Sequence, residues 1–264
     1  MRSFLFYILF AFFQLQNFAQ NTNSRSNSLG GCGVTQTSVW SNFYNQAGLA
    51  NISRFTFGIG TENQFLLREL NRHVVACAIP VNGGTIGVNL NYFGFELYNE
   101  TKLGFAFGKK LSNSFNIGVQ LDYLGTSIAE GNNKLHNFTF EIGIQKQLSK
   151  ELMLGAHIFN PTIVKLNEDE NIPSLLQLGL CYKANQKVSL FTEGSLESEQ
   201  NGKLHFGLEY RILNELSLRT GFSTNPAKNT FGIGYTLNKM QIDVAVNKHQ
   251  VLGYSPQISI SSTF

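Results

Sequence analysis

The sequence predicts an all-β fold: a transmembrane antiparallel β-barrel of about 14 strands, with a short N-terminal plug or hatch segment. Three observations carry this. From Ile52 onward, runs of eight to twelve residues alternate apolar with other side chains, the period of a strand with two unlike faces. The connections between runs alternate between tight turns and longer polar loops. The face opposite the Phe/Leu/Ile/Tyr face is mostly Gly, Ala, Ser, Asn, Gln and charge, which suits a wet lumen better than a packed core.

The chain opens MRSFLFYILFAFFQLQNFAQ. Arg2 followed by an apolar run over Phe4–Phe13 has the length of a signal peptide and is too short to span a bilayer. The expected division is therefore 1–20 signal peptide, 21–52 polar leader and hatch, and 53–264 barrel. No later segment offers ~18 uninterrupted apolar residues, so no helical span is expected. Charged residues make up only 14% of the chain and aromatics are abundant, which argues against disorder. A net charge of +3, scattered along the chain, gives no reason to expect nucleic acid.

Cys32, Cys77 and Cys181 are odd in number and widely spaced, so they suggest neither a disulfide framework nor a metal site. Leu29-Gly30-Gly31-Cys32 faintly resembles a lipoprotein box, but the polar NTNSRSNS stretch separates it from the apolar run.

Residues 21–35 read as polar and flexible. GVTQTSVWSNFYNQAGLANI follows, with the only Trp, Trp40, beside Phe43, Tyr44 and Leu49. An aromatic segment left in water is unfavourable, so a hatch folded into the barrel mouth is expected. The strand runs then fall at about 53–65, 73–81, 84–97, 101–111, 114–127, 135–148, 151–163, 174–184, 187–197, 203–212, 215–224, 229–238, 240–249 and 254–264. Turns such as KKLSNSF and KQLSKEL join some of them. GTSIAEGNNKLHN, NPTIVKLNEDENIP, LESEQNGK and STNPAKN form the longer set. LHFGLEYRILNELSLRTGF reads as two strands about the turn Ile212–Glu215 rather than as a helix. The final strand QISISSTF puts Ile258, Ile260 and Phe264 on one face, as suits pairing of last strand to first. A soluble sandwich or lipocalin-like barrel would also alternate, but would turn its apolar face inward.

The same alternation assigns Asp122, Glu141, His157, Lys183, Glu193, His205, Glu209, Arg211, Arg219 and Asp243 to the lumen. Both signs are present, so a bracing ladder of ion pairs is expected before a solute path. No catalytic residues are expected: neither H-x-S nor G-x-S-x-G occurs, and the five histidines are scattered. No metal or other cofactor is expected, because the histidines lack i, i+2 or i, i+4 pairing. Gly58/Gly60 and Gly232/Gly234 lack the setting of phosphate loops. Small inward residues leave room for a plug instead.

The stretch SVWSNFYNQAGLANI resembles the segment that the PorV/PorQ group of outer-membrane barrels carries before its first strand, where it is written N-P-A-G-L-A. That group is similar to the FadL transporters. GGTIGVNLNYFGFELYNET, FGKKLSNSFNIGVQLDYL, GAHIFNPTIVKLNEDENIPSLLQLGLCYK and FGLEYRILNELSLRTGF resemble further stretches in the same order. The plug segment matches over Asn45, Ala47, Gly48, Leu49 and Ala50, with Gln46 in place of proline, which leaves the bend there without its fixed φ.

The resemblance implies a fourteen-stranded barrel with a hatch in a Bacteroidota-type outer membrane. It also implies two possible jobs. The first, preferred on the similarity and the short loops, is a non-enzymatic accessory or adaptor barrel. Its partners would be type IX secretion proteins or secreted cargo. The second is passive transport of a hydrophobic ligand through a hatch and an opening in the wall. Asn160-Pro161 is the candidate wall kink for that route, although the residues read more readily as a loop-facing strand end. Outer-membrane lipid is an expected partner in both cases.

Overall fold

The computed structural model describes residues 23–129, 133–167, 170–198 and 200–264. The expected signal peptide lies outside them. Fourteen strands form one closed antiparallel barrel, each paired to its neighbour in the chain. They are β1 (Thr56–Asn63), β2 (Asn71–Val81), β3 (Gly84–Phe95), β4 (Tyr98–Ser112), β5 (Phe115–Ile128), β6 (Asn133–Gln147) and β7 (Leu152–Phe159). The second half comprises β8 (Leu175–Lys183), β9 (Val188–Glu197), β10 (Lys203–Arg211), β11 (Leu216–Ser223), β12 (Lys228–Leu237), β13 (Met240–His249) and β14 (Gly253–Thr263).

Closure runs from Thr56↔Thr263 to Glu62↔Gln257. Phe264 extends it: its N–H donates to the Phe55 carbonyl at 2.9 Å, and the two rings lie 5.7 Å apart. The expected turn at Ile212–Glu215 joins β10 to β11, with Glu209 opposite Arg219.

The wall is inside out relative to a soluble protein. Phe138 is 71% exposed and Leu121 is 69% exposed, while Glu141 and Asp122 on the same strands are 1% exposed. That arrangement excludes a soluble sandwich, because large outward apolar bands need hydrocarbon.

The polar outer connections are shorter than the sequence suggests. β5 and β6 pair all the way to Ile128↔Asn133 and absorb most of GTSIAEGNNKLHN. The long connection is the stretch between Phe159 and Leu175. β7 ends at Phe159 rather than near 163, because Asn160 turns to φ 50° and Pro161 has no N–H to donate. Asn160-Pro161 therefore marks a strand end, not a kink within the wall.

Residues 23–52 fill the lumen. Asn23 caps a short helix, α1 (Ser24–Ser28), with its side chain accepting from Ser26 N at 2.8 Å. Two 3₁₀ turns follow, Val39–Phe43 and Gln46–Asn51. The leader expected to be flexible is thus packed. Leu29 and Val34 are fully buried, and Gly33 and Val34 N–H groups bond to the wall. Its Ser and Asn residues match the polar lumen around them.

Inward glycines let the two backbones touch. A Cβ at Gly118 would lie 2.2 Å from the Gln46 carbonyl carbon, one at Gly155 2.5 Å from the Val34 oxygen, and one at Gly221 2.1 Å from the Gly30 nitrogen.

Candidate functional site

The plug is anchored by an aromatic cluster and by Asn45. Trp40, Tyr44, Ala47 and Leu49 are buried, Phe43 and Ala50 partly so, and Trp40 packs against Val39, Val74, Ala76 and Ala78. Asn45 caps the second 3₁₀ turn and ties it to the wall. Its Oδ1 accepts from Ala47 N at 3.1 Å, and its Nδ2 donates to the carbonyls of Val34, Ile144 and Ala156 at 2.8, 2.9 and 3.2 Å. Gln46 then occupies the first helical position, where proline would have been tolerated. Its amide donates to Glu141 Oε2 at 2.5 Å, a contact proline could not make.

Above Gln46 lies a polar layer. Lys102 Nζ donates to Glu141 Oε1 and lies 3.7 Å from Asp122 Oδ1. His157 Nε2 faces Glu141 Oε2 at 2.8 Å, and its Nδ1 faces Gln177 Oε1 at 3.2 Å. Gln177 donates to Glu193 Oε1 at 2.7 Å, while Glu193 Oε2 accepts from Gly33 N at 2.8 Å and Val34 N at 3.0 Å. Gln120 donates to Asp122 at 2.8 Å and to Glu141 at 3.2 Å. Wall and plug therefore share one hydrogen-bonded network, in which Lys102 is paired with Glu141 and Asp122 while Glu193 is held by backbone N–H groups and Gln177.

A second network holds α1. Arg25 grips Glu209 with two bonds of 3.1 and 3.0 Å, and Arg219 joins Glu209 to Asp243 with two bonds of 2.6 Å. The Glu209 carboxylate raises the Arg25 pKa above its ordinary value. Two cavities flank α1. An outer one of 280 Å³ contains Asn27, Glu62, Lys203, His205 and Lys228. An inner one of 460 Å³ contains Arg25, Trp40, Arg211 and Arg219. His205 bonds the Gly30 carbonyl at 2.7 Å and Ser195 Oγ at 3.0 Å.

The outer mouth over β5–β7 is apolar. Leu124, Phe159, Leu166 and Ile172 are buried together, with Leu135, Val164 and Leu175 packed against them. Leu166 and Ile172, from the connection after Phe159, complete this cluster. That connection is pinned by Asn160, whose Nδ2 donates to the Ile172 carbonyl at 2.7 Å and whose Oδ1 accepts from Thr139 Oγ1 at 2.8 Å and Val164 N at 3.1 Å. The cluster rests on a charged group: Lys102 Nζ sits 4.6 Å from the Phe159 ring centre.

Strand pairing between β6 and β7 stops at Glu141↔Phe159. Above it, among the described residues, the β7 side of β6 meets the connection after Phe159, through Asn160 N to the Phe140 carbonyl at 3.1 Å and Asn137 Nδ2 to the Leu166 carbonyl at 3.5 Å. Phe138 faces outward at this level, so the seam lies at the upper edge of the apolar band.

Of the residues assigned to the lumen by alternation, Asp122, Glu141, His157, Glu193, Glu209, Arg219 and Asp243 are buried inside, and His205 is half-buried there. Lys183 and Arg211 are exposed at the ends of β8 and β10. They hold the inward register, but their strands end at the turns before enclosing them. Lys102, Gln120 and Arg25 were not singled out. Lys102 shares the inward register of Gly104 and Ala106, so the same alternation points to it. Arg25 lies in the segment read as leader, which gave no signal. Among the described residues no group of His, Cys, Asp and Glu could hold a metal.

Cys32 reports on the plug. It is 2% exposed, and burial pushes its thiol well above the usual range. In a chain carrying Cys77→Ser and Cys181→Ser, maleimide should label Cys32 only after denaturant releases the plug. Rapid labelling of the folded barrel would show that the segment lies elsewhere.

No protein-family model and no curated relative matches the sequence. Solved structures do match. The Ralstonia pickettii toluene transporter TbuX superposes with a TM-score of 0.71 at 13% identity, over 94% of this chain and 99% of that one. A deltaS2 mutant of the TodX monoaromatic hydrocarbon channel gives 0.75 at 12%, over 94% and 100%. A Pseudomonas aeruginosa FadL homologue gives 0.64 at 11%, over 92% and 98%. The fold is that of the FadL-type outer-membrane barrels. The first of these neighbours is named as a transporter and the second as a channel.

Proposed function

We propose that this barrel passively transports small apolar molecules, admitting them at the apolar cluster that the connection after Phe159 completes and releasing them sideways into the membrane. The carrying observation is the outer half of β6, which has a loop rather than a strand beside it, next to a buried apolar cluster that rests on Lys102. An apolar solute gains nothing by descending into the Lys102–Glu141–His157 layer, where it would displace hydrogen bonds without replacing them. The seam at Phe138 and Phe140 offers it hydrocarbon instead. The hydrocarbon transporters among the structural neighbours support this reading over the secretion adaptor that the sequence resemblance favoured.

The test is uptake of naphthalene by proteoliposomes with a lipopolysaccharide outer leaflet. The wild-type barrel should speed uptake. A disulfide between Asn137→Cys and Leu166→Cys should tie the loop to β6 and abolish the gain, and reductant should restore it. Equal uptake with the bond closed would refute the lateral route.

A further inference from the structure

The outside of the wall carries a feature that transport does not use. A groove of 610 Å³ crosses the outer surface from β7 to β12. Leu180, Leu190, Phe206, Leu208 and Phe222 form its exposed rims. It is a depression because Thr192 and Thr220 are small. Thr192 is paired with Leu180 and Phe206, and Thr220 with Leu208 and Phe231. Its volume lies within the range of pockets that hold small ligands.

Its lower end, at Leu152 and Tyr182, adjoins two neighbouring turns. Lys183 N donates to the Glu151 carbonyl at 2.8 Å, which puts those turns side by side. They and their strand ends present Lys146, Lys150, Lys183 and Lys187, all exposed, against the single carboxylate of Glu151. Four cations less one anion leave +3 in this sector. Among the described residues none of the four lysines lies within ion-pair distance of a carboxylate. The sector is therefore a compact positive patch at the turn end of the barrel.

We propose that the groove and these lysines bind an anionic phospholipid from the leaflet on the turn side, the periplasmic side in barrels of this type. An acyl chain would lie between the Leu and Phe rims, and the phosphate would meet Lys150 and Lys187. Basic clusters at a membrane surface attract acidic headgroups, and a groove at hydrocarbon depth is reached by lipid rather than by a water-soluble partner. A second copy fits less well. Two-fold pairing through this face would set lysines against lysines at the same membrane height.

The full chain in nanodiscs of phosphatidylethanolamine with a minority of phosphatidylglycerol provides the test, with retained lipid weighed by native mass spectrometry after mild extraction. Phosphatidylglycerol should be retained several-fold above its share. Lys150→Glu with Lys187→Glu should bring it to parity. Thr192→Trp, which fills the groove, should lower retention of both lipids. Heat-modifiable gel mobility reports folding, and the exposed turn variants carry the test if Thr192→Trp misfolds. Wild-type retention at the bulk ratio, or enrichment unchanged by the charge reversal, would overturn the site. So would a dimer that Thr192→Trp dissociates, because the groove would then belong to a second copy.

Discussion

Glu141→Ala is expected to cost the folded barrel about 3–5 kcal/mol, the range for removing one partner of a buried ion pair. Glu141 accepts from Lys102, Gln46 and Gln120 and faces His157, all within the closed polar layer. Without it, Lys102 keeps Asp122 at 3.7 Å, beyond hydrogen-bond reach, and its ammonium is too deeply enclosed to regain water. Gln46 loses its bond to the wall, so the plug should loosen as well. Urea titration in detergent micelles measures the first effect, and Cys32 labelling the second.

Glu141→Gln should cost less, because a carbonyl oxygen still accepts from Gln46. Combining it with Lys102→Met should recover part of the loss, since two charges then leave the layer together. An Ala variant within about 0.5 kcal/mol of wild type would mean that water or a side-chain shift already solvates Lys102.

The wall was legible in the sequence because hydrocarbon imposes a two-residue period on every strand. Alternation states which face a residue takes, and Asp122, Glu141 and His157 follow it inward. It does not state height. Lys183 and Arg211 have the inward register but sit at the rim, and Leu124 and Phe159 have it but stand above the polar layer in an apolar cluster.

The leader was opaque for a related reason. A segment rich in Ser, Asn and Gly has the composition of a flexible linker, and only the surrounding wall converts it into packed structure. Arg25 gains its role from Glu209, 184 positions away. The loop after Phe159 was read as a polar connection, yet Leu166 and Ile172 within it complete the outer apolar cluster. The lipid groove was hidden too, since Thr192 and Thr220 look like ordinary outward residues until their larger neighbours are placed across the strands.

Gly118→Val should unseat the plug and open the lumen. Gly118 stands on β5 with its missing side chain aimed at the second 3₁₀ turn. An added Cβ would lie 2.2 Å from the Gln46 carbonyl carbon and 2.3 Å from Ala47 N, distances that no rotamer change relieves because both atoms are backbone. The wall cannot retreat either, as β5 is bonded along its length to β4 and β6. The plug must move, and with it go the Gln46–Glu141 bond and the three carbonyl contacts of Asn45.

Overpacking of this kind costs about 1–3 kcal/mol, so the barrel itself should survive. Planar-bilayer recordings should then change from a closed baseline to resolved conductance steps, and Cys32 should become reactive without denaturant. Gly194→Val is the control: its Cβ meets nothing nearer than Leu204 Cδ2 at 3.9 Å, so the recordings should stay silent. If Gly118→Val is equally silent and Cys32 remains shielded, the turn is not wedged against β5, and closure of the lumen must rest on the Arg25–Glu209 clasp instead.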